Sequence, residues 1–398
     1  MSRPLRSSLA FLTSERLVMN TAFRFVYPFL PAIARGLGVP LEAAGLLVSA
    51  RWVAGLATPG IQRTVGHGEA RRRLIVTGCL LFIAGAGVTA LTGVYVGALL
   101  GFALIGLAKP SYDIASQAYI ADRVPYQHRA RYLAVFELTW ALSLLVGAPL
   151  TGWLIARGEW TTPFWVFGAL TVVALLLVPR FVDPDLPAVA TSTQRGRFGS
   201  SAVAFLAVTA LFTLGAETMF VIFGAWLEGS FALTLAALGS AAVLIGFAEL
   251  AGEGATFAFT DRIGKRRSVL IGLMVSAVGF AMLVPAGNSL GIGLAFLALG
   301  LFGFEFTIVS SIPLATELEP TTRAHYLAWT VVAMATGRGI GAALGPILFG
   351  SLGLAGPAIA AVAANMLAAV VLVAWVREEG SEPAAEPDQS SSRRGERG

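Results

Sequence analysis

The chain alternates long apolar runs with short polar breaks. Twelve runs lie near residues 11–36, 42–62, 74–93, 95–121, 132–156, 162–181, 201–227, 233–259, 268–286, 288–314, 326–350 and 354–376. A helix of about 20 apolar residues matches the hydrocarbon thickness of a bilayer. The runs lack the alternation of barrel strands, and a helix satisfies its own backbone groups where lipid cannot. The spacing therefore predicts an all-α membrane protein with twelve transmembrane helices. The first run has no small-residue cleavage site after a short apolar core, and Arg24 interrupts it, so it reads as a retained span.

Ten ionisable residues lie deep inside these runs: Arg24, Arg51, Lys109, Asp113 and Glu137, then Glu217, Glu249, Glu253, Glu305 and Arg338. They occupy eight segments and leave segments 3, 6, 9 and 12 empty. Random placement over equal segments would miss every third one with a probability of about 2%, and a charge facing lipid costs several kcal/mol. The charged segments are therefore expected to surround a polar path through the membrane.

The second half repeats the first at an offset of 194 residues. The run from Arg129 to Ala134 (RARYLA) returns as Arg323 to Ala328 (RAHYLA), and Arg71-Arg72-Arg73 returns as Lys265-Arg266-Arg267. Repeated halves are a signature of transporter folds, with the substrate site near the midplane between them. Six spans per half make these parallel repeats. The expected organisation is a first half at 1–182, a polar linker at 183–200, a second half at 201–376 and a disordered tail at 377–398.

Composition agrees with this class: 56% of residues are apolar and 13% charged, with a mean hydropathy of +0.76. The pI of 9.7 does not mark a nucleic-acid surface, because 22 of the 28 Lys and Arg residues fall at the termini or in loops after even-numbered segments. Only Arg35 and Arg157 lie in loops on the other side. By the positive-inside rule both termini are cytoplasmic. Cys79, the single cysteine, lies mid-segment and reads as a packing residue.

Two six-span halves joined by a cytoplasmic loop, with basic signatures in the loops after segments 2 and 8, resemble the major facilitator superfamily over residues 10–376. The most specific element is Asp261-Arg262-Ile263-Gly264-Lys265-Arg266-Arg267, similar to the family's gating-loop signature. Its first-half counterpart carries His67 in place of the acid, read as a solvated loop histidine or a pH-sensitive cap. Asp122-Arg123 with Arg129, and Glu319-Pro320 with Arg323, are similar to the exits from spans 4 and 10. The run Gly147-Ala148-Pro149-Leu150-Thr151-Gly152 is similar to the Gly-Pro motif of the antiporter branches, and Gly337, Gly341, Gly345 and Pro346 stand in segment 11. Such small-residue spacing serves either static packing or rocking. The Arg that drug-efflux members carry early in span 4 is missing from Val96 to Leu104. The resemblance implies the major facilitator fold, in a monomer of a bacterial-type plasma (inner) membrane.

Arg24 and Glu217 are nearly equivalent in the repeat, so Glu217 is the leading proton-coupling candidate with Arg24 as its partner; a permanent structural ion pair is the other reading. Glu249 and Glu253 share a face of segment 8 and form a second candidate proton site. Lys109 and Asp113 have the same spacing and can neutralise each other. Glu305 is unpaired by sequence, and Glu137 suits a gate or a substrate contact. Arg51 and Arg338 can bind an anionic group or neutralise a carboxylate. The acid excess of this set favours proton coupling or a cationic substrate. Tyr27, Tyr112, Trp140, Phe220, Phe304 and Trp329 flank the charges and suit an amphipathic or ring-containing substrate. No nucleophile stands near a base, and no metal-ligand spacing or phosphate loop occurs, so neither an enzyme nor a metal or other cofactor is expected. The function expected is proton-coupled export of small amphipathic organic molecules by alternating access, with lipid, protons and the substrate as partners. The alternative is an importer or facilitator of a polar metabolite without proton coupling.

Overall fold

The computed structural model describes residues 5–61, 70–184 and 196–377. It places twelve spans where the apolar runs predict them. We label them α1 (Leu5–Arg24 continued by Val26–Leu37), α2 (Leu41–Ile61), α3 (Arg71–Thr92), α4 (Tyr95–Arg123), α5 (Gln127–Arg157) and α6 (Thr162–Phe181). The second six are α7 (Ser200–Phe231), α8 (Leu235–Ile263), α9 (Lys265–Ala286), α10 (Leu290–Leu318), α11 (Arg323–Leu352) and α12 (Ala355–Trp375). The repeat survives in the helix starts: Leu41 and Leu235, and Arg71 and Lys265, each open equivalent helices 194 residues apart. His67, most of the expected linker and nearly all of the tail lie outside the described residues.

Three of the spans are irregular. In α1 the two pieces meet at 55°. Pro28 has no N–H for the carbonyl of Arg24, and its ring crowds that carbonyl, which accounts for a bend at Phe25. α5 contains a π turn at Ser143–Gly147, followed by Pro149, and α2 tightens to a 3-10 turn at Ala54–Ala57. Such local changes of winding often mark functional positions.

The halves meet through α1, α2 and α5 on one side and α7, α8 and α11 on the other, while α3, α6, α9 and α12 pack within their own halves. This is the division implied by the empty segments. Contact is tightest at the face opposite the chain termini. There a Cβ at Gly224 of α7 would lie 2.3 Å from the Pro28 carbonyl oxygen, and one at Gly45 of α2 would lie 2.6 Å from Pro346. The Gly-Pro motif belongs to this seam, since a Cβ at Gly152 would lie 2.7 Å from the Leu235 carbonyl oxygen. Arg35 and Glu228 close it with two hydrogen bonds of 2.8 and 2.9 Å. With Arg35 exposed and Glu228 half-buried, this ion pair contributes about 1 kcal/mol or less.

At the terminal face the latches act within each half. Arg71 pairs with Asp122, and Lys265, its repeat equivalent, pairs with Glu317. Gly264 between α8 and α9 has φ +95°, a backbone that a side chain would strain. Of the remaining gating signature, Arg266 donates to the carbonyls of Leu372 and Val373, whereas Asp261, Arg262 and Arg267 are exposed. The signature therefore ties α9 to α10 and α12.

Contact at Gly224 predicts a conformational effect. Gly224→Ala should push the halves apart at the sealed face and lengthen the distance between spin labels at the exposed Pro40 and Ser230. Gly229→Ala, where a Cβ meets nothing within 4 Å, should leave that distance unchanged. Equal distances in both variants would show that the backbone approach at Gly224 does not hold the face shut.

Candidate functional site

Charge inside the bundle turns away from lipid. Arg24, Arg51, Glu217, Glu249, Glu305 and Arg338 are all buried, and they form a central cluster with an aromatic wall. Arg24, at the bend of α1, donates to Glu249 of α8 at 2.5 Å and to the Trp140 carbonyl of α5 at 2.9 Å. Its guanidinium lies 4.3 Å from the Trp140 ring centroid. The Arg24–Glu249 pair crosses between the halves with both side chains 1% exposed. Loss of one partner from such a pair costs about 3–5 kcal/mol.

Glu217 of α7 does not pair with Arg24. It accepts from Arg338 of α11 at 2.9 Å, from the Tyr27 hydroxyl at 2.7 Å and from the Trp52 indole at 3.0 Å. The equivalence of positions 24 and 217 in the repeat is real, but the bend after Arg24 and the crossing of α1 over α8 direct the two side chains to different partners. Arg338 in turn lies within 5.0 Å of the Trp52 and Phe304 ring centroids. Phe220 packs between Tyr27 and Phe304, with centroids 5.5 and 6.1 Å away.

Two members of the cluster have no ion-pair partner among the described residues. Glu305 of α10 sits where a Cβ at Gly252 of α8 would touch its own Cβ at 2.9 Å, and its electrostatic neighbours are Glu249, Glu253, Arg24 and Arg338. Arg51 of α2 donates to the Phe23 carbonyl and stacks on the Phe23 ring at 3.7 Å. Its Nε and Nη2, with Oε2 of Glu249, are buried without a hydrogen-bond partner.

Toward the terminal face, a second network lines the first half. Asp113 accepts from Lys109 and from Arg16, so the expected Lys109–Asp113 pair forms with a third member. Arg16 also donates to Glu137 at 2.8 Å, and Gln117 donates to the other oxygen of Glu137 at 2.8 Å. Glu253 of α8 has Glu137, Arg24 and Arg16 among its electrostatic neighbours and is partly exposed. The Glu137 side chain is 48% exposed. Glu137 and Glu253 thus neighbour each other across the halves and both reach the surface, on the terminal side of the buried cluster.

Two candidate aromatic residues stand elsewhere. Tyr112 is buried in the first half with its hydroxyl on the Leu12 carbonyl at 2.9 Å, and Trp329 is 42% exposed with its indole on His325. Conversely, Glu15 and Arg16 of α1 are each 4% exposed and were not among the interior charges expected from the apolar pattern. Both lie inside the apolar run at 11–36, as the eleventh and twelfth residues of Leu5–Arg24, and that position is the available signal. Glu15 accepts from Thr171 of α6 at 2.8 Å.

Comparison with known proteins adds the family. The model of the Major Facilitator Superfamily matches residues 16–245 and again 205–397. The chain is 26% identical over 290 residues to the uncharacterised MFS-type transporter YwfA of Bacillus subtilis, covering 70% of this chain and 68% of that one. Its fold is similar to that of the inward-open xylose transporter XylE of E. coli, with a TM-score of 0.77 at 14% identity, over 95% of this chain and 98% of that one. It is also similar to the human organic anion transporter MFSD10, with a TM-score of 0.68 at 18% identity, over 93% and 100% of the two chains. With the repeated six-helix halves, the charged cluster between them and a family match over most of its length, the chain belongs to the Major Facilitator Superfamily, whose members are membrane transporters of small molecules.

Proposed function

We propose that this transporter is a proton-coupled exporter of small amphipathic organic molecules, working by alternating access in a bacterial-type inner membrane with both termini in the cytoplasm. The observation that carries the coupling is the surplus acid beside the Arg24–Glu249 pair. Glu305 neighbours Glu249, and Arg24 is the one cation bonded to either acid among the described residues. A proton can therefore join this pair of acids without breaking any ion pair. Passing from Glu305 to Glu249, it would cancel the charge that holds Arg24 and free α1 from α8. Glu217 has the opposite character: three donors hold it, so it serves as a fixed acceptor joining α7 to α11, α1 and α2.

The aromatic wall of Phe23, Tyr27, Trp52, Phe220 and Phe304 supports an amphipathic cargo. Flat apolar faces take up the body of such a molecule, and a few convergent polar groups set its orientation. The Gly-Pro motif in the α5–α8 seam supports rocking, because small residues bring the backbones of the two halves together where they must slide. Export follows from the resemblance of that motif to the antiporter branches. Asp113, Glu137 and Glu253 line the proposed cytoplasmic approach to the site.

Proteoliposomes loaded with a substrate found by thermal-shift screening test the coupling. An imposed pH gradient should drive accumulation by the wild type. Glu305→Gln should lose that response while retaining exchange of substrate across the membrane. Flux indifferent to the gradient in the wild type would favour the uncoupled importer or facilitator, and an unimpaired response in Glu305→Gln would remove this residue from the coupling step.

Stability should report the interhalf pair. Glu249→Gln leaves the Arg24 guanidinium buried without its counter-charge and should destabilise the fold by about 3–5 kcal/mol, whereas the double variant Arg24→Met with Glu249→Met should recover most of that loss. Thermal denaturation in detergent would measure both, and additive losses in the double variant would contradict the pairing.

A further inference from the structure

We propose that the central site binds its substrate through a carboxylate, held on the free edge of Arg51 with the substrate body against the Phe23, Tyr27 and Trp52 rings. This deepens the proposed function by naming a substrate class, and it rests on the same central site. The two unpaired charges have unequal means of neutralisation. Arg24 pairs with Glu249 and Arg338 with Glu217, leaving Glu305 in the second half and Arg51 in the first. A surplus carboxyl can be neutralised by a proton. A guanidinium cannot lose one under physiological conditions, so only an anion or suitably placed dipoles can balance it.

The dipoles around Arg51 meet part of this need. Its Nη1 donates to the Phe23 carbonyl, and three aromatic rings lie near the guanidinium, with centroids at 3.7, 5.1 and 5.8 Å for Phe23, Tyr27 and Trp52. Nε and Nη2 make no hydrogen bond of normal geometry, although the Tyr27 side chain interacts with the guanidinium and the residue is 1% exposed. Those two nitrogens form one edge of the guanidinium plane, the edge that grips a carboxylate through two parallel N–H···O bonds. Glu217 is the carboxylate among the charged neighbours of Arg51, and its oxygens are already committed to Arg338, Tyr27 and Trp52.

The surroundings point to a substrate anion in preference to an inorganic ion. Trp52 lies between two guanidiniums, with its centroid 5.8 Å from Arg51 and 4.8 Å from Arg338, and it is the partly exposed ring of this group. The 3-10 turn at Ala54–Ala57 begins three residues after Arg51. A displacement of Trp52 would open the Arg51 edge toward the cavity and present an aromatic lining to the rest of the ligand. The cluster holds three arginines and three glutamates, so one proton taken up by a glutamate leaves one positive charge that a monocarboxylate neutralises. The cationic substrate that the acid excess in the sequence favours is replaced by an anionic one. The excess lies in Glu253, Glu137 and Asp113, outside the buried cluster.

Binding to the full-length purified protein tests this without any requirement for flux. The probe is a panel of matched triads, each with one aromatic or alkyl scaffold bearing a carboxylate, a carboxamide or an aminomethyl group, followed by thermal shift and Trp52 fluorescence. Carboxylates should stabilise the protein and bind about ten- to a hundredfold more tightly than their carboxamides. Arg51→Lys should weaken that preference, and Arg51→Gln should abolish it. Arg51→Met should raise the melting temperature of the ligand-free protein, because it removes an uncompensated buried charge; a structural arginine would lower it. A panel in which no carboxylate outperforms its carboxamide, or a preference that survives Arg51→Gln, overturns the proposal. Carboxylate preference together with flux insensitive to pH would instead remove only the proton coupling, so the two readings fail separately.

Discussion

The ion pair between Arg24 and Glu249 is the contact on which the rest of the structure turns. Neither group can face hydrocarbon without a cost of several kcal/mol, and each is buried to within 1% of its surface. The two belong to different halves of the molecule, so their mutual neutralisation is also a bond between those halves. The first half carries the surplus of interior cations, with Arg16, Arg24, Arg51 and Lys109 against Glu15, Asp113 and Glu137. The second carries the surplus of acids, with Glu217, Glu249, Glu253 and Glu305 against Arg338. Complementary excess draws the halves together at midmembrane, and a transport cycle must loosen that attraction and restore it.

Irregular backbone accompanies the arginines. Phe23, whose carbonyl accepts from Arg51, stands two residues before the bend of α1, and Trp140, whose carbonyl accepts from Arg24, stands three residues before the π turn of α5. A regular helix uses its carbonyls internally. The Trp140 carbonyl accepts from the Ser143 hydroxyl of its own helix as well as from Arg24, so it serves the irregular turn and the buried guanidinium together. The prolines that disturb α1 and α5 thus contribute to the polar chemistry of the site as well as to its shape. The same helices meet the other half at the opposite face, α1 through the Pro28 carbonyl against Gly224 and α5 through Gly152 against the Leu235 carbonyl, so the irregular backbone, the close contacts and the charged cluster share their elements.

Under the proposed alternating cycle, the close contacts opposite the termini, the solvent-reaching carboxylates on the terminal side and the triply bonded Glu217 describe one state. Contacts at the sealed face are of two kinds. Close backbone approaches, such as Gly224 on Pro28, depend on shape, whereas the exposed Arg35–Glu228 pair is weak and screened by salt. Shape complementarity supplies most of the seal, and the charge pair chiefly sets its register. The Arg71–Asp122 and Lys265–Glu317 latches join neighbouring helices within each half, and neither crosses the interface.

Hydropathy and repetition in the sequence determined the number of spans, their order, the pseudo-symmetry of the halves and the inward direction of the interior charges, because the bilayer penalises every alternative. They also marked α3, α6, α9 and α12 as outer helices, since those segments carry no interior charge. The partners of each charge were decided only by the tertiary structure. Repeat equivalence brought Arg24 and Glu217 to similar depths, but the bend at Phe25 and the packing of α1 against α8 gave Arg24 to Glu249 and Arg338 to Glu217. Tyr112 and Trp329 flank charged positions along the chain yet turn into a helix core and toward the surface. Depth is a property of one helix and can be read from its apolar length; azimuth and partner depend on how two helices cross, and no single segment contains that information.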